Sequence, residues 1–265
     1  MQLLSSKFVI INIKNKFEMR LNNIYKSSLL LISVVFVLSS CDPFFNCLDG
    51  NGILKQEERF VTSFYAVENT TEVDVEIYSD TVYSLEVIAD ENLLGVIETS
   101  VRDNKLLITM ENDRCINTDN IMLVKIRMPH LESVLLSGSG NIDVSNFDCT
   151  SMQIVNSGSG KIDVVNLFST NKVELELYGS GSIYVWGKAR NGEYILSGSG
   201  DMVADDLLVD ECVVYNSGSG NVYCFAYDYL TATLSGSGDI IYSGDPEFKV
   251  PPVDNGSGEI RSRTY

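Results

Sequence analysis

Ser137-Gly138-Ser139-Gly140-Asn141-Ile142 reads as a tight turn running into a strand, and the chain returns to it repeatedly. Gly-Ser-Gly recurs at Gly138–Gly140, Gly158–Gly160, Gly179–Gly181, Gly198–Gly200, Gly218–Gly220, Gly236–Gly238 and Gly256–Gly258. The last glycines of successive copies are 20, 21, 19, 20, 18 and 20 residues apart. A fixed period of this length marks stacked repeats, one supersecondary unit per copy. Two residues after each copy stand Ile142, Ile162, Ile183, Met202, Val222, Ile240 and Ile260. Four after it stand Val144, Val164, Val185, Ala204, Cys224, Tyr242 and Ser262. Before the motif, Met152 and Ile154, Val173 and Leu175, Cys212 and Val214, and Leu230 and Ala232 alternate with residues that are mostly polar.

This is a period of two, so each repeat carries short strands with one buried face. The pattern predicts an all-β parallel solenoid with coils of about 20 residues, stacked at about 4.8 Å, so seven coils span about 34 Å. Glycine is expected at the corners because it accepts positive φ and because stacked turns leave little room for side chains. A flexible Gly/Ser linker is excluded by the apolar residues at fixed offsets. Asn156, Asn216 and Asp254 fall where other coils carry Leu, and are expected to bond to corner backbone.

The chain has 265 residues and a formal charge of −17. An acidic body argues against nucleic acid and anionic lipid as partners. Residues 1–40 read as a lipoprotein signal peptide, with Met19 as an alternative start. Arg20 and Lys26 precede the apolar run Leu29–Leu38, too short to span a bilayer, and Leu38-Ser39-Ser40-Cys41 follows. That order resembles a bacterial lipobox, with Cys41 lipidated and anchoring the chain to the membrane. An uncleaved anchor and an ordinary secretory signal are the alternatives. An exported, lipid-anchored protein of the outer membrane or cell surface of a Gram-negative bacterium is the expected setting.

Residues 41–59 read as lipidated Cys and tether, residues 60–136 as irregular N-terminal β coils forming a cap, and residues 137–265 as the repeat solenoid. Alternation at Val73/Val75/Ile77, Leu85/Val87, Leu106/Ile108/Met110 and Val124/Ile126/Met128 makes the cap β as well. In an exported protein Cys47 and Cys115 are candidates for a disulfide, with two free thiols as the alternative. Cys212 and Cys224 fall on inward columns and read as small buried apolar residues; Cys149, near a corner, has no assignable partner.

These features resemble the head domain of auto-transporter-type adhesins, the GIN domain, over roughly residues 44–265. The resemblance rests on Asn46-Cys47-Leu48-Asp49-Gly50, Ala89-Asp90-Glu91-Asn92-Leu93-Leu94 and Arg114-Cys115-Ile116. The serial blocks Ser137-Gly138-Ser139-Gly140-Asn141-Ile142 and Ser197-Gly198-Ser199-Gly200-Asp201-Met202 add to it. It implies a right-handed β-helix head on a lipid-anchored, exported protein, and brings neither an established ligand nor catalytic residues. Tyr178-Gly179-Ser180-Gly181 departs from the Ser-first pattern.

The chain shows no metal-type Cys/His spacing, no nucleophile elbow and no phosphate loop, and its one histidine, His130, sits at a strand edge. No catalytic residue and no cofactor are expected. Asp143 and Asp163 share an outward column on neighbouring coils, near 5 Å apart, which makes them a weak Ca²⁺ candidate. Tyr184, Trp186, Val203, Tyr223 and Phe225 project from one face over three coils, an arrangement suited to stacking on sugar rings or anchoring a surface protein. The bland alternative is that this face is covered by the N-terminal segment, by the tether or by another copy, the last making the chain a homo-oligomer. Adhesion or ligand binding is therefore the leading reading. A carbohydrate-active β-helix enzyme and a structural, envelope-assembly protein are its rivals.

Overall fold

The computed structural model describes residues 47–263. Cys41 and the signal segment lie outside the described residues. The chain begins with β1 (Leu48–Asp49) and β2 (Leu54–Arg59), then β3 (Ala66–Asn69) and β4 (Asp74–Ser79). There follow β5 (Ser84–Asp90), β6 (Ile97–Arg102), β7 (Lys105–Met110), a 3-10 turn at Glu111–Asp113, β8 (Ile116–Asn117) and β9 (Leu123–Met128). The repeats supply β10 (Ser133–Leu136), β11 (Ile142–Ser145), β12 (Asp148–Asn156), β13 (Lys161–Leu177), β14 (Ser182–Leu196) and β15 (Met202–Asn216). They end with β16 (Val222–Phe225), β17 (Tyr229–Leu234), β18 (Ile240–Ser243), β19 (Glu247–Phe248), β20 (Val253–Asp254) and β21 (Ile260–Ser262). The result is a parallel β-solenoid of about six turns with a coil spacing near 20 residues.

Two ladders run along it. Strands before the corner turn stack in the order β6, β7, β3, β10, β12, β13, β14, β15, β17, with β19 and β20 beyond. Strands after the turn stack as β2, β5, β9, β4, β11, β13, β14, β15, β16, β18, β21. In β13, β14 and β15 the strand continues around a corner and pairs again near Leu167, Gly187 and Leu207, which adds a short third face. The interior is filled by in-register columns. One is Val124, Val75, Ile142, Ile162, Ile183, Met202, Val222 and Ile240; another is Leu106, Val67, Val134, Ile154, Leu175, Tyr194, Val214 and Ala232. All are buried.

The corner glycines have one physical cause rather than the two expected. None of those in the Gly-Ser-Gly copies has positive φ. Each is required because a Cβ would overlap a carbonyl oxygen of the preceding coil, as Gly158 would overlap that of Gly138 and Gly200 that of Gly181. The serine amides between them extend the ladder around the corner, Ser159 to Gly138 O at 3.0 Å and Ser199 to Gly179 O at 3.0 Å. Asn156 and Asn216 clamp the same turn. Their Oδ1 atoms accept from Gly158 N and Gly218 N at 3.0 Å, and their Nδ2 atoms donate to Gly160 O and Gly220 O at 2.8 and 3.0 Å. Asp254, expected to act similarly, is exposed.

The N-terminal part is more regular than its sequence suggests. β3 and β4 form a full coil in register with the repeats, and Asn69 clamps its turn as Asn156 does. The cap proper is antiparallel: β2 on β5, β5 on β9, and β6 on β7. Arg59 ties the two ladders together there, donating to Ile97 O at 2.6 Å and Leu94 O at 2.5 Å. Within the segment read as tether, Leu48–Asp49 and Leu54–Arg59 thus enter the sheets as strands.

Candidate functional site

Strand alternation sends every second residue of the second ladder to solvent. The outward column reads Glu76, Asp143, Asp163, Tyr184, Val203, Tyr223, Ile241, Arg261 in strict register, with Ile241 covered and buried. Its acidic end and its aromatic end meet where Trp186 stands over the strand carrying Asp163.

At that junction lies a shallow groove of about 360 Å³ lined by Glu76, Tyr78, Asp143, Asp163, Val165 and Trp186. Tyr78 donates to Glu76 at 3.1 Å, and the Arg127 guanidinium covers its ring 5.5 Å from the centroid. Trp186 is fixed by its Nε1 donating to Asp206 at 3.0 Å and by stacking on Tyr184, centroids 6.1 Å apart and planes 12° from parallel. Both rings are therefore held before any ligand arrives. Asp143 is exposed, yet crowding by neighbouring side chains and then the Asp163 carboxylate push its carboxyl above the usual range. Lys161 donates to Asp163, and its ammonium also lies 5.8 Å from the Tyr184 ring centroid.

The groove unites three of the residues singled out in sequence: Asp143, Asp163 and Trp186. Tyr184 buttresses Trp186. Val203 continues the column, and Tyr223 and Phe225 lie two strands further on, where Phe225 packs edge-on against Tyr227 at 4.6 Å. All five apolar candidates are half-buried on the outer face. Glu76 and Tyr78 escaped the sequence reading. They belong to β4, which has no Gly-Ser-Gly marker to fix its register. An alternation scan anchored on Val75 and Ile77 places them on the same face.

Asp143 and Asp163 do pair in register, but the Asp163 charge is met by Lys161, and among the described residues no group of three or more His, Cys, Asp or Glu is placed to hold a metal ion. A larger groove of about 730 Å³, lined by His130, Glu132, Asp148, Cys149 and Lys172 among others, lies elsewhere. Burial pushes the Cys149 thiol up, the wrong direction for a nucleophile. Lys172 is held by Glu174 and Glu193, both at 2.5 Å. Cys212 and Cys224 are buried core residues beside Tyr194, whose hydroxyl has no oxygen or nitrogen partner. Cys47 and Cys115 are each disulfide-bonded.

The class these elements define is a parallel β-solenoid with an aromatic and acidic groove on one outer sheet face. The chain belongs to the family described as "Putative auto-transporter adhesin, head GIN domain", matched over residues 63–246. A putative adhesin from Bacteroides fragilis is similar in structure, with a TM-score of 0.77 and 22% identity, covering 82% of this chain and 100% of its own. A putative lipid binding protein from Parabacteroides distasonis is similar with a TM-score of 0.66 and 24% identity, covering 83% and 100%. A putative adhesin from Parabacteroides merdae has a TM-score of 0.61 and 22% identity, covering 82% and 99%. At these identities the likeness concerns the fold. No curated protein matches the sequence.

Proposed function

We propose that this chain is the non-catalytic, ligand-binding head of an exported protein tethered to the membrane through lipidated Cys41, and that it adheres through a glycan bound in the Tyr78–Trp186 groove. The observation that carries the reading is the interleaving of two held aromatic rings with three carboxylates on a rigid sheet face. Aromatic faces stack on the C–H faces of sugars, while Glu76, Asp143 and Asp163 accept from hydroxyls. The family's adhesin description supports the class of function. The lipid-binding label of the Parabacteroides distasonis neighbour has no counterpart in a groove with this charge.

The test is a glycan and extracellular-matrix array with the mature chain and its variants, each checked for folding by circular dichroism. Trp186→Ala weakens binding about tenfold, a change of about 1.4 kcal/mol. Phe225→Ala, two strands away, leaves binding within twofold. Equal loss in both would spread the site along the whole aromatic row. Binding to matrix proteins alone would replace the glycan by a protein partner, and a folded chain that binds nothing would favour an envelope-assembly role.

A further inference from the structure

Three stretches distant in sequence meet at the capped end. Leu48 and Asp49 pair in parallel with Ile116 and Asn117. Asn92 donates to Asp49 O at 2.8 Å and accepts from Asn51 N at 2.9 Å. Asp90, itself buried, receives Thr118 Oγ1 at 2.6 Å and Asn120 Nδ2 at 2.5 Å, and the backbone N–H of Gly52 also bonds to it. A Cβ on Gly50 would collide with this carboxylate. The result is a clasp, hydrogen-bonded throughout, that orders the loops around the start of β2.

Around this clasp four large apolar residues are exposed beside the polar face of β2. Ile53 is 52% exposed, Leu54 48% and Ile121 57%, and Phe60 at the other end of β2 is 96% exposed. β2 is the outermost strand of its ladder; five of its six residues are exposed, so neither face is covered. Two ion pairs lie on this strand, Lys55 with Glu91 at 2.5 Å and Arg59 with Glu57 at 2.8 Å, while Glu58 is exposed opposite Glu86. Scattered exposed aliphatics are ordinary. Here Ile53, Leu54 and Ile121 gather at one end of an unpaired strand, where Asn120 bonds the Asp90 that pairs with Leu54, and Phe60 stands at the other end, with the polar run Lys55–Arg59 between them; such a mixed apolar and charged surface suits the headgroup layer of a bilayer.

We propose that this edge seats on the surface of the lipid bilayer that anchors the chain, with Ile53, Leu54, Phe60 and Ile121 at headgroup level. The inference rests on the reading of Cys41 as the lipidated residue. Seven residue steps separate Cys41 from Leu48, a reach of at most about 25 Å when fully extended. A bilayer is thus always within reach of the clasp. Headgroup depth also suits an open strand edge, because its unpaired N–H and C=O groups still find water there and would not in the hydrocarbon.

The test uses the full mature lipoprotein in phosphatidylcholine vesicles, with and without brominated acyl chains. Phe60→Trp and Ile121→Trp are each made in a Trp186→Phe background, and mass spectrometry first establishes whether Cys41 carries acyl groups. The expected result is at least twofold quenching of either introduced indole by brominated lipid, with Trp186 in the native chain unquenched. Trp186 is six strand spacings from β2, about 29 Å. Acylated, vesicle-bound protein whose introduced indoles stay unquenched overturns the seating but leaves the anchor. Unacylated Cys41 removes the premise and overturns both. A doubled mass in detergent together with unquenched indoles assigns the edge to a second copy instead.

Discussion

Asp90 shows how much one side chain organises. The hydrogen bonds from Thr118 and then Asn120 hold its carboxyl below the usual range, against the opposing effect of burial. A depressed folded value means the ionised form stabilises the fold. That stability is present above the unfolded carboxylate value of about 3.9 and is lost as pH falls through the lower folded value. Asp90→Asn keeps the size but cannot accept both bonds in the same way. The expected outcome is a lower melting temperature at pH 7 and a flatter decline of melting temperature on acidification below about pH 4, read by circular dichroism melts at stepped pH. A variant whose acid limb matches that of the native chain would assign that limb to other carboxylates. Asp143 is shifted the other way, by loss of solvent around its carboxyl and then by the neighbouring Asp163 carboxylate. A groove carboxylate left short of partners is what a ligand bearing hydroxyl groups would supply.

At the level of the element, the corner turn decides what is readable from sequence. The Gly-Ser-Gly copies made the solenoid, its period and its inward columns legible, because every turn in the stack lies on another and excludes a Cβ. The turn Asn69–Val73 lies in the same stack but carries no Gly-Ser-Gly marker. It keeps Thr71 and Val73 because the segment on its cap side makes no tight turn: Asn69 pairs with Ile108 and Asp74 with Leu123. Four residues on one side, 70–73, thus face fourteen on the other, 109–122. The Thr71 side chain uses that freedom, donating to Asn69 Oδ1 at 2.8 Å and accepting from Val73 N at 3.0 Å. With this coil unmarked, the register of Tyr78 and Glu76 was lost, and with it half of the groove. The same logic predicts that Gly200→Ala, within the stack, costs about 3 kcal/mol or prevents folding, whereas exposed Ser199→Ala changes stability by less than about 0.5 kcal/mol. Urea denaturation of both variants checks this, and a mild Gly200→Ala would mean the coils can slide apart to admit a methyl group.

For the molecule as a whole, a solenoid is held by contacts between neighbouring coils, so what happens at one end reaches the other only through every coil between. Ten strand spacings separate β2 from β21 along the second ladder, about 48 Å. With the clasp seated on the bilayer, the groove spans β4 to β14, about 14 to 29 Å above it, clear of the headgroups and open to a ligand on an opposing surface. The end that bears the tether is also the one that the disulfide chemistry reinforces. The register places Cys47 and Cys115 immediately before the paired residues Leu48 and Ile116, and we expect the two to be bonded to each other. Closing a loop of 68 residues, from 115 − 47, stabilises by about 4 kcal/mol in the chain-entropy account. Reduction should therefore lower the urea midpoint. Amide exchange should rise first between residues 48 and 128, with the distal coils β16–β21 protected until the cap opens. Peptide mapping that links Cys47 to another cysteine, or exchange that begins at the distal coils, would move the weak point of the head away from the membrane.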